Sequence, residues 1–178
     1  MKKFWFFSGI LLLILSLCAG CGANNHGLPK DGEARAIVMD MTTVPGLYVA
    51  ALEELYHKDA ALNNNIEMVA FDFSRCSNLT NEEKAALMDY VSKEWNLTCW
   101  EGTFAELKEK GHITEEDGFH RFEKGILISV ETEQVEENAF TFSVGKFRSS
   151  LGAYMLCDCE ASFGDGVWSY TVGAEMIS

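Results

Sequence analysis

The sequence has few prolines and few basic residues, and each shortage argues against a class of protein. Two prolines among 178 residues, with aromatic residues at 12%, indicate a folded globular chain rather than a disordered one. Fourteen Lys and Arg residues stand against 27 Asp and Glu residues, which gives a formal net charge of −13. Because such a surface repels phosphate groups, we expect neither nucleic-acid binding nor direct docking on anionic lipid.

The sequence also lacks the common catalytic motifs. We find no Gly-x-Ser-x-Gly elbow, no convincing Ser, His and Asp order for a catalytic triad and no phosphate-binding glycine motif. Beyond residue 21 there is no Cys-x-x-Cys redox pair. These gaps favour a non-catalytic module over an enzyme, and we expect neither a cofactor nor a metal.

The first 21 residues have the layout of an export signal. Two lysines come first, an apolar run occupies residues 4–17, and two small residues precede Cys21. The run is shorter than the roughly 20 apolar residues of a membrane-spanning helix. Export followed by cleavage is therefore the main prediction, and an uncleaved membrane helix is the alternative.

The segment at residues 17–21 (LCAGC) resembles the lipobox of bacterial lipoprotein precursors. The resemblance implies a signal peptide at residues 1–20 and a lipidated Cys21, with acyl chains such as palmitate, at the extracytoplasmic face of the cell membrane. Cys18 stands where leucine is commonest in that family, and it is the alternative lipid site. Each buried methylene contributes about 0.8 kcal/mol, so two or more acyl chains would hold a protein at a membrane.

After the predicted signal peptide, the amino-acid composition predicts two segments, a tether and then a domain. Residues 21–35 are polar, with glycine, asparagine and one proline, and predict a flexible tether. Residues 36–178 predict a single domain that is long enough to bury a core. Loss of residues 1–20 would remove two lysines and change the formal net charge from −13 to −15.

Local patterns in the domain predict helices first and strands later. Three helices follow capping residues: one from Thr43 to about Leu62, one over about Asn81–Trp95 after a capping box of Thr80 and Glu83, and a short one after a capping box of Thr103 and Glu106. Five strands are predicted at Ile66–Phe73, Gly125–Glu131, Ala139–Arg148, Gly152–Ser162 and Val167–Met176. The polar stretch His112–Lys124 between these groups predicts a loop with one helical turn.

This order of elements predicts an α+β fold, with N-terminal helices packed on a C-terminal antiparallel meander of four strands. The turn Gly164-Asp165-Gly166 is a hairpin signal within that meander. The layout is similar to the cone of the nuclear-transport-factor-2-like proteins. Such a cone would bind a small apolar ligand or a peptide in its mouth.

Two C-terminal stretches, residues 146–153 and 166–178, look like parts of uncharacterised lipoproteins from clostridial bacteria. The two stretches make up 21 of the 178 residues. It agrees with the lipobox and implies no activity.

Four cysteines fall in the domain: Cys76, Cys99, Cys157 and Cys159. Outside the cytoplasm such cysteines form disulfides or stay as thiols, and bridges that involve Cys76 and Cys99 are one option. Cys157 and Cys159 would lie on one face of a strand, badly placed to bond each other. Two thiolates there would also suit a soft metal, although buried thiols explain the pair as well.

Three charged residues are candidates for a pocket. Asp72 with Arg75, or Arg148 with an acid, would line it, and a structural ion pair is the alternative because buried charges need partners. We therefore expect a membrane-tethered extracytoplasmic lipoprotein that acts as a binding or interaction module. The alternatives are an unrecognised enzyme that uses pocket carboxylates and a structural envelope protein.

Overall fold

A computed structural model describes residues 40–178, which contain three α-helices, one short 3₁₀ helix and nine β-strands. In chain order these are α1 (Val44–His57), the 3₁₀ helix (Ala60–Asn63), β1 (Met68–Arg75), α2 (Asn81–Glu94), β2 (Thr98–Glu101), α3 (Phe104–Glu109), β3 (Ile113–Glu116), β4 (Phe119–Phe122), β5 (Gly125–Glu133), β6 (Ala139–Ser149), β7 (Gly152–Gly164), β8 (Val167–Thr171) and β9 (Ala174–Ile177). The predicted signal peptide, Cys21 and the tether lie outside the described residues. No helix within residues 40–178 has the length and apolar character needed to cross a membrane.

The predicted fold class, helices packed on a four-stranded antiparallel meander, is wrong. Strands account for 45% of the described residues and helices for 27%, and the nine strands form one mixed sheet. β1 pairs in parallel with β2 on one side and with β5 on the other. β6 and β7 continue the sheet as antiparallel neighbours of β5, and β8 and β9 both pair with β7. The cone-like layout is wrong for the same reason, because the N-terminal strands belong to the sheet that contains the C-terminal ones.

The parallel strands are joined by crossovers that carry helices. α2 links β1 to β2, and a longer connection with α3, β3 and β4 links β2 to β5. Parallel neighbours always need such a connection, because a tight turn cannot return the chain to the same end of the sheet. The β3–β4 hairpin occupies the stretch that had predicted a loop, so that expectation is also wrong.

Side chains of β1 enter two cores on opposite faces of the sheet. Val69, Phe71 and Phe73 lie in the main core, under α1 and α2. Ala70 lies in a second, smaller core together with Leu107 of α3. A strand buried on both faces is an unbroken apolar run in the sequence, as β1 is at its start.

α1 begins where its sequence predicts. The side chain of Thr43 accepts a hydrogen bond from the backbone N–H of Gly46 at 3.1 Å, and Pro45 occupies the first turn. Gly46 lies against the chain that enters the helix: a Cβ atom on it would stand 1.9 Å from the carbonyl oxygen of Asp40. No larger residue fits at that position without moving the backbone.

Both predicted capping boxes are confirmed. Thr80 accepts from the N–H of Glu83 at 3.2 Å, and the Glu83 carboxylate accepts from the N–H of Thr80 at 2.8 Å. Thr103 and Glu106 repeat the arrangement at α3. At each helix start the threonine side chain therefore satisfies one N–H group and the glutamate side chain satisfies another.

Candidate functional site

An open groove of about 540 Å³ runs along the β3–β4 hairpin. One face of this hairpin packs on α3 through the buried side chains of Ile113 and Phe122. The opposite face lines the groove with Thr114, Glu116 and Arg121. Period-two alternation thus fixes which side chains support the hairpin and which face the open space.

The turn between β6 and β7 forms the wall of the groove. The N–H of His120 donates to the Ser150 hydroxyl at 2.8 Å, and the N–H of Ser150 donates to the His120 carbonyl at 2.9 Å. Arg121 pairs with Ser149 in the sheet. These contacts tie the hairpin to the main sheet, so the shape of the groove is set by backbone hydrogen bonds.

The groove combines exposed apolar side chains with negative charge. Phe119 is 54% exposed and Leu151 is 76% exposed. The groove is also lined by three acidic residues, Glu116, Asp117 and Glu123. Arg121 is the one Lys or Arg residue among its lining residues. Arg121 itself lies 3.5 Å from Glu123. The groove therefore suits a ligand that carries positive charge beside an apolar group.

A charged cluster lies on the opposite face of the hairpin. Glu115 contacts the Lys108 ammonium, and its carboxylate is 3.3 Å from Nε2 of His120. The hydrogen bond from Lys108 holds the pKa of Glu115 below its usual range. This cluster links β3 and β4 to α3, and its His120 also lines the groove.

The structure places the three predicted pocket residues apart. The Asp72 carboxylate accepts from the N–H of Ser74 at 3.0 Å, in a local turn. Arg75 pairs with Glu131 at 2.7 Å, as an ion pair on the sheet surface. The Arg148 side chain binds the backbone carbonyls of three residues instead of an acid: Leu62 at 2.9 Å, Asn64 at 2.7 Å and Glu123 at 2.9 Å. None of the three lines the groove.

All four domain cysteines are free thiols, and three of them are buried. Burial raises the pKa of Cys99 and Cys159 to about 12, so these two thiols stay protonated and unreactive at neutral pH. The Cys76 sulfur lies 3.6 Å from both Asn78 Oδ1 and Thr132 Oγ1, inside a small buried polar cluster.

A bulge in β7 separates Cys157 from Cys159. Asp158, which lies between them, has φ +51°, and three residue steps on β7 match two steps on β6 at this point. The strand alternation that had predicted one shared face for the two cysteines is therefore interrupted. Within residues 40–178, no three or more His, Cys, Asp and Glu side chains are grouped to hold a metal ion.

The structure also contains a buried lysine that sequence analysis missed. Lys146 is 1% exposed, and its ammonium lies within hydrogen-bond distance of four oxygens: the carbonyls of Tyr56, Lys58 and Asp59 and the Oδ1 of Asn63. Burial lowers the pKa of Lys146 to about 8. The signal was present in the sequence, because Lys146 continues the alternating inward positions of Phe140, Phe142 and Val144 on β6.

A second missed cluster joins α1 to β8 and β9. The Tyr170 hydroxyl donates to Glu54 at 2.7 Å, the Tyr154 hydroxyl donates to Glu175, and the Lys58 ammonium lies 2.7 Å from Glu175. Each carboxylate already has a tyrosine and a lysine as partners. The cluster therefore stabilises the last two strands against the helix.

No protein-family model, curated protein or solved structure matches this chain.

Proposed function

We propose that the chain is a membrane-tethered extracytoplasmic binding module, and that its groove binds a short, positively charged peptide segment. The observation that carries the proposal is the acidic groove with its two exposed apolar side chains, Phe119 and Leu151. Exposed apolar surface beside converging polar groups is typical of a recognition site.

The charge of the groove favours a basic partner. Three carboxylates and one arginine line it, on a chain with a formal net charge of −13. A lysine or arginine of a peptide would contact Glu116 or Asp117, and an adjacent apolar side chain would cover Phe119. An acidic or phosphorylated partner would meet repulsion at the same place.

The hairpin offers backbone groups as well. Among the described strands, β3 pairs only with β4, so its outer edge is open along residues 113–116. An extended peptide would add to such an edge through main-chain hydrogen bonds, while its side chains reach the groove. A peptide therefore fits the site better than a compact small molecule does.

Attachment to the membrane rests on the lipobox-like segment. We propose that Cys21 carries the lipid and that residues 21–35 tether the domain. Lipid attachment would hold the groove outside the membrane surface, where extended segments of other proteins are accessible.

Fluorescence polarisation with a labelled peptide, acetyl-Lys-Leu-Lys-Phe-Lys-amide, tests the groove. We expect saturable binding of this peptide and none of its counterpart with Glu in place of Lys. Glu116→Gln and Leu151→Ser should each weaken binding about fivefold or more, since each removes a contact of about 1 kcal/mol.

Two matched variants serve as controls. Glu160→Gln removes an exposed charge on β7, and Val135→Ser removes an apolar side chain that is 54% exposed and does not line the groove. Both should bind like the wild type. Equal losses in the groove variants and the controls, or no binding at millimolar peptide, would overturn the proposal.

A further inference from the structure

We propose that Glu53 and the aromatic rings around it form a second binding site, for a methylated or quaternary ammonium group. This site lies between the C-terminal halves of α1 and α2, and none of its residues lines the groove. It is independent of the proposed peptide binding.

One aromatic side chain contacts the Glu53 carboxylate directly, and two others lie near it. The indole N–H of Trp95 donates to Glu53 Oε1 at 2.9 Å. Tyr56 stacks on Trp95 with ring centroids 4.0 Å apart and an angle of 18° between the planes. Tyr90 is the third ring, and its hydroxyl is near enough to Glu53 for the carboxylate to contribute, after burial, to raising its pKa. All three rings are half-buried, so part of each faces solvent.

Glu53 has little positive charge around it. Its side chain is 22% exposed, and among residues 40–178 the one basic side chain within 4 Å is His57, at 3.8 Å. His57 is itself 76% exposed and is charged only when protonated. A half-buried carboxylate without a permanent counter-ion favours the binding of a cation from solution.

The aromatic rings specify which cation. A methylated ammonium is weakly hydrated and packs its methyl groups against aromatic faces, whereas a metal ion needs several oxygen ligands. Tyr56 already faces one internal cation, because the Lys146 ammonium lies 6.0 Å from its ring centroid. Trp95 stacks on the same Tyr56 ring, so the rings left for a ligand are Tyr90 and the face of Trp95 that is turned away from Tyr56.

A purely structural role for the Glu53–Trp95 hydrogen bond, as a link between α1 and α2, makes a different prediction. Glu53→Gln keeps an amide oxygen that accepts from the indole N–H and removes the negative charge. Under the structural role this variant behaves like the wild type in every assay. Under the proposed role it folds normally and loses affinity for the cation.

The probe is choline. Its binding is measured as the shift of the Trp95 indole N–H signal in ¹H–¹⁵N spectra, and the Trp95→Phe variant assigns that signal. We expect a saturable shift with choline and none with 3,3-dimethylbutan-1-ol, which has the same shape without the charge. Sodium chloride at equal ionic strength controls for screening. We expect Glu53→Gln to bind choline about tenfold more weakly.

Glu54→Gln is the matched control, because Glu54 is the next residue on α1 but contacts Tyr170 and Lys58 instead. It should retain affinity within about twofold. Absence of a saturable shift with choline, an equal shift with the neutral analogue, or equal losses in Glu53→Gln and Glu54→Gln would each overturn the proposal. The comparison of choline with its analogue uses the wild type, so it decides even where a variant is unstable.

Discussion

At the level of single residues, Lys146 is the one charged side chain that is buried within residues 40–178. α1 ends at His57 because the chain turns at Asp59, which has φ +42°. The Lys146 ammonium lies within hydrogen-bond distance of the carbonyls of Tyr56, Lys58 and Asp59 around this ending. The predicted helix to about Leu62 therefore divides into α1 and a 3₁₀ helix. Helical spacing in the sequence did not reveal where α1 ends, because Lys146, which contacts this ending, is on β6, about 90 residues away.

Lys146→Met should destabilise the fold by about 2 kcal/mol, because it leaves the Lys58 carbonyl without its donor. The Tyr56 and Asp59 carbonyls keep their hydrogen bonds from Asn63 and Leu62. Urea unfolding measures the change. Lys93→Met is the control: Lys93 is exposed and pairs with Asp89, and such a pair contributes less than about 1 kcal/mol. Equal effects of the two substitutions would contradict the structural role of Lys146.

The same lysine predicts a dependence of stability on pH. Burial lowers its pKa from 10.5 to about 8. Between these values the unfolded chain binds a proton at this side chain and the folded chain does not, so its contribution to stability rises with pH. The difference in unfolding free energy between wild type and Lys146→Met should grow by roughly 2 kcal/mol from pH 7 to pH 10. A constant or shrinking difference would show that the pKa is not lowered.

Among the elements, those with local signals were predicted and those with distant partners were not. The starts of the three helices were predicted from Thr43, Thr80 and Thr103, whose side chains cap the next turn. The starts of β5, β6, β7 and β8 also agree with prediction. Parallel pairing of β1 with β2 and β5 left no local signal, because it depends on crossovers that span tens of residues.

The candidate groove was missed for a different reason. Its hairpin turns at Asp117-Gly118, with φ +51° and +81°, which is the residue pair that a two-residue hairpin turn favours. The flanking strands carry Glu, Thr, His and Arg at most positions, so apolar alternation was weak there. Asp72, Arg75 and Arg148 were predicted as pocket residues because buried charges need partners, yet each has partners outside the groove.

The capping box of α2 gives a prediction for an element. Thr80→Ala should cost about 1 kcal/mol, because the N–H of Glu83 loses its acceptor at the helix start. Thermal unfolding checks this against Ser77→Ala, an exposed residue in the preceding loop, which should change stability by less than about 0.5 kcal/mol. Equal melting temperatures for the two variants would show that the capping box is not needed.

At the scale of the whole described domain, a sheet with an apolar core on each face has a charged outer surface. The sheet is covered on one face by α1 and α2 and carries α3 on the other, so its interior is filled by side chains. Both proposed binding sites, the groove and the site beside Glu53, include solvent-exposed side chains. A formal net charge of −13 agrees with the cationic partners proposed for both.

We propose that a lipid on Cys21 holds this domain outside the cell membrane. Intact mass of the membrane-extracted protein, wild type beside Cys21→Ala, tests this proposal. We predict a wild-type mass equal to a chain that starts at Cys21 plus acyl groups, and loss of both cleavage and acylation in the variant. A full-length, unlipidated mass in the wild type would contradict the claim and indicate an uncleaved membrane helix.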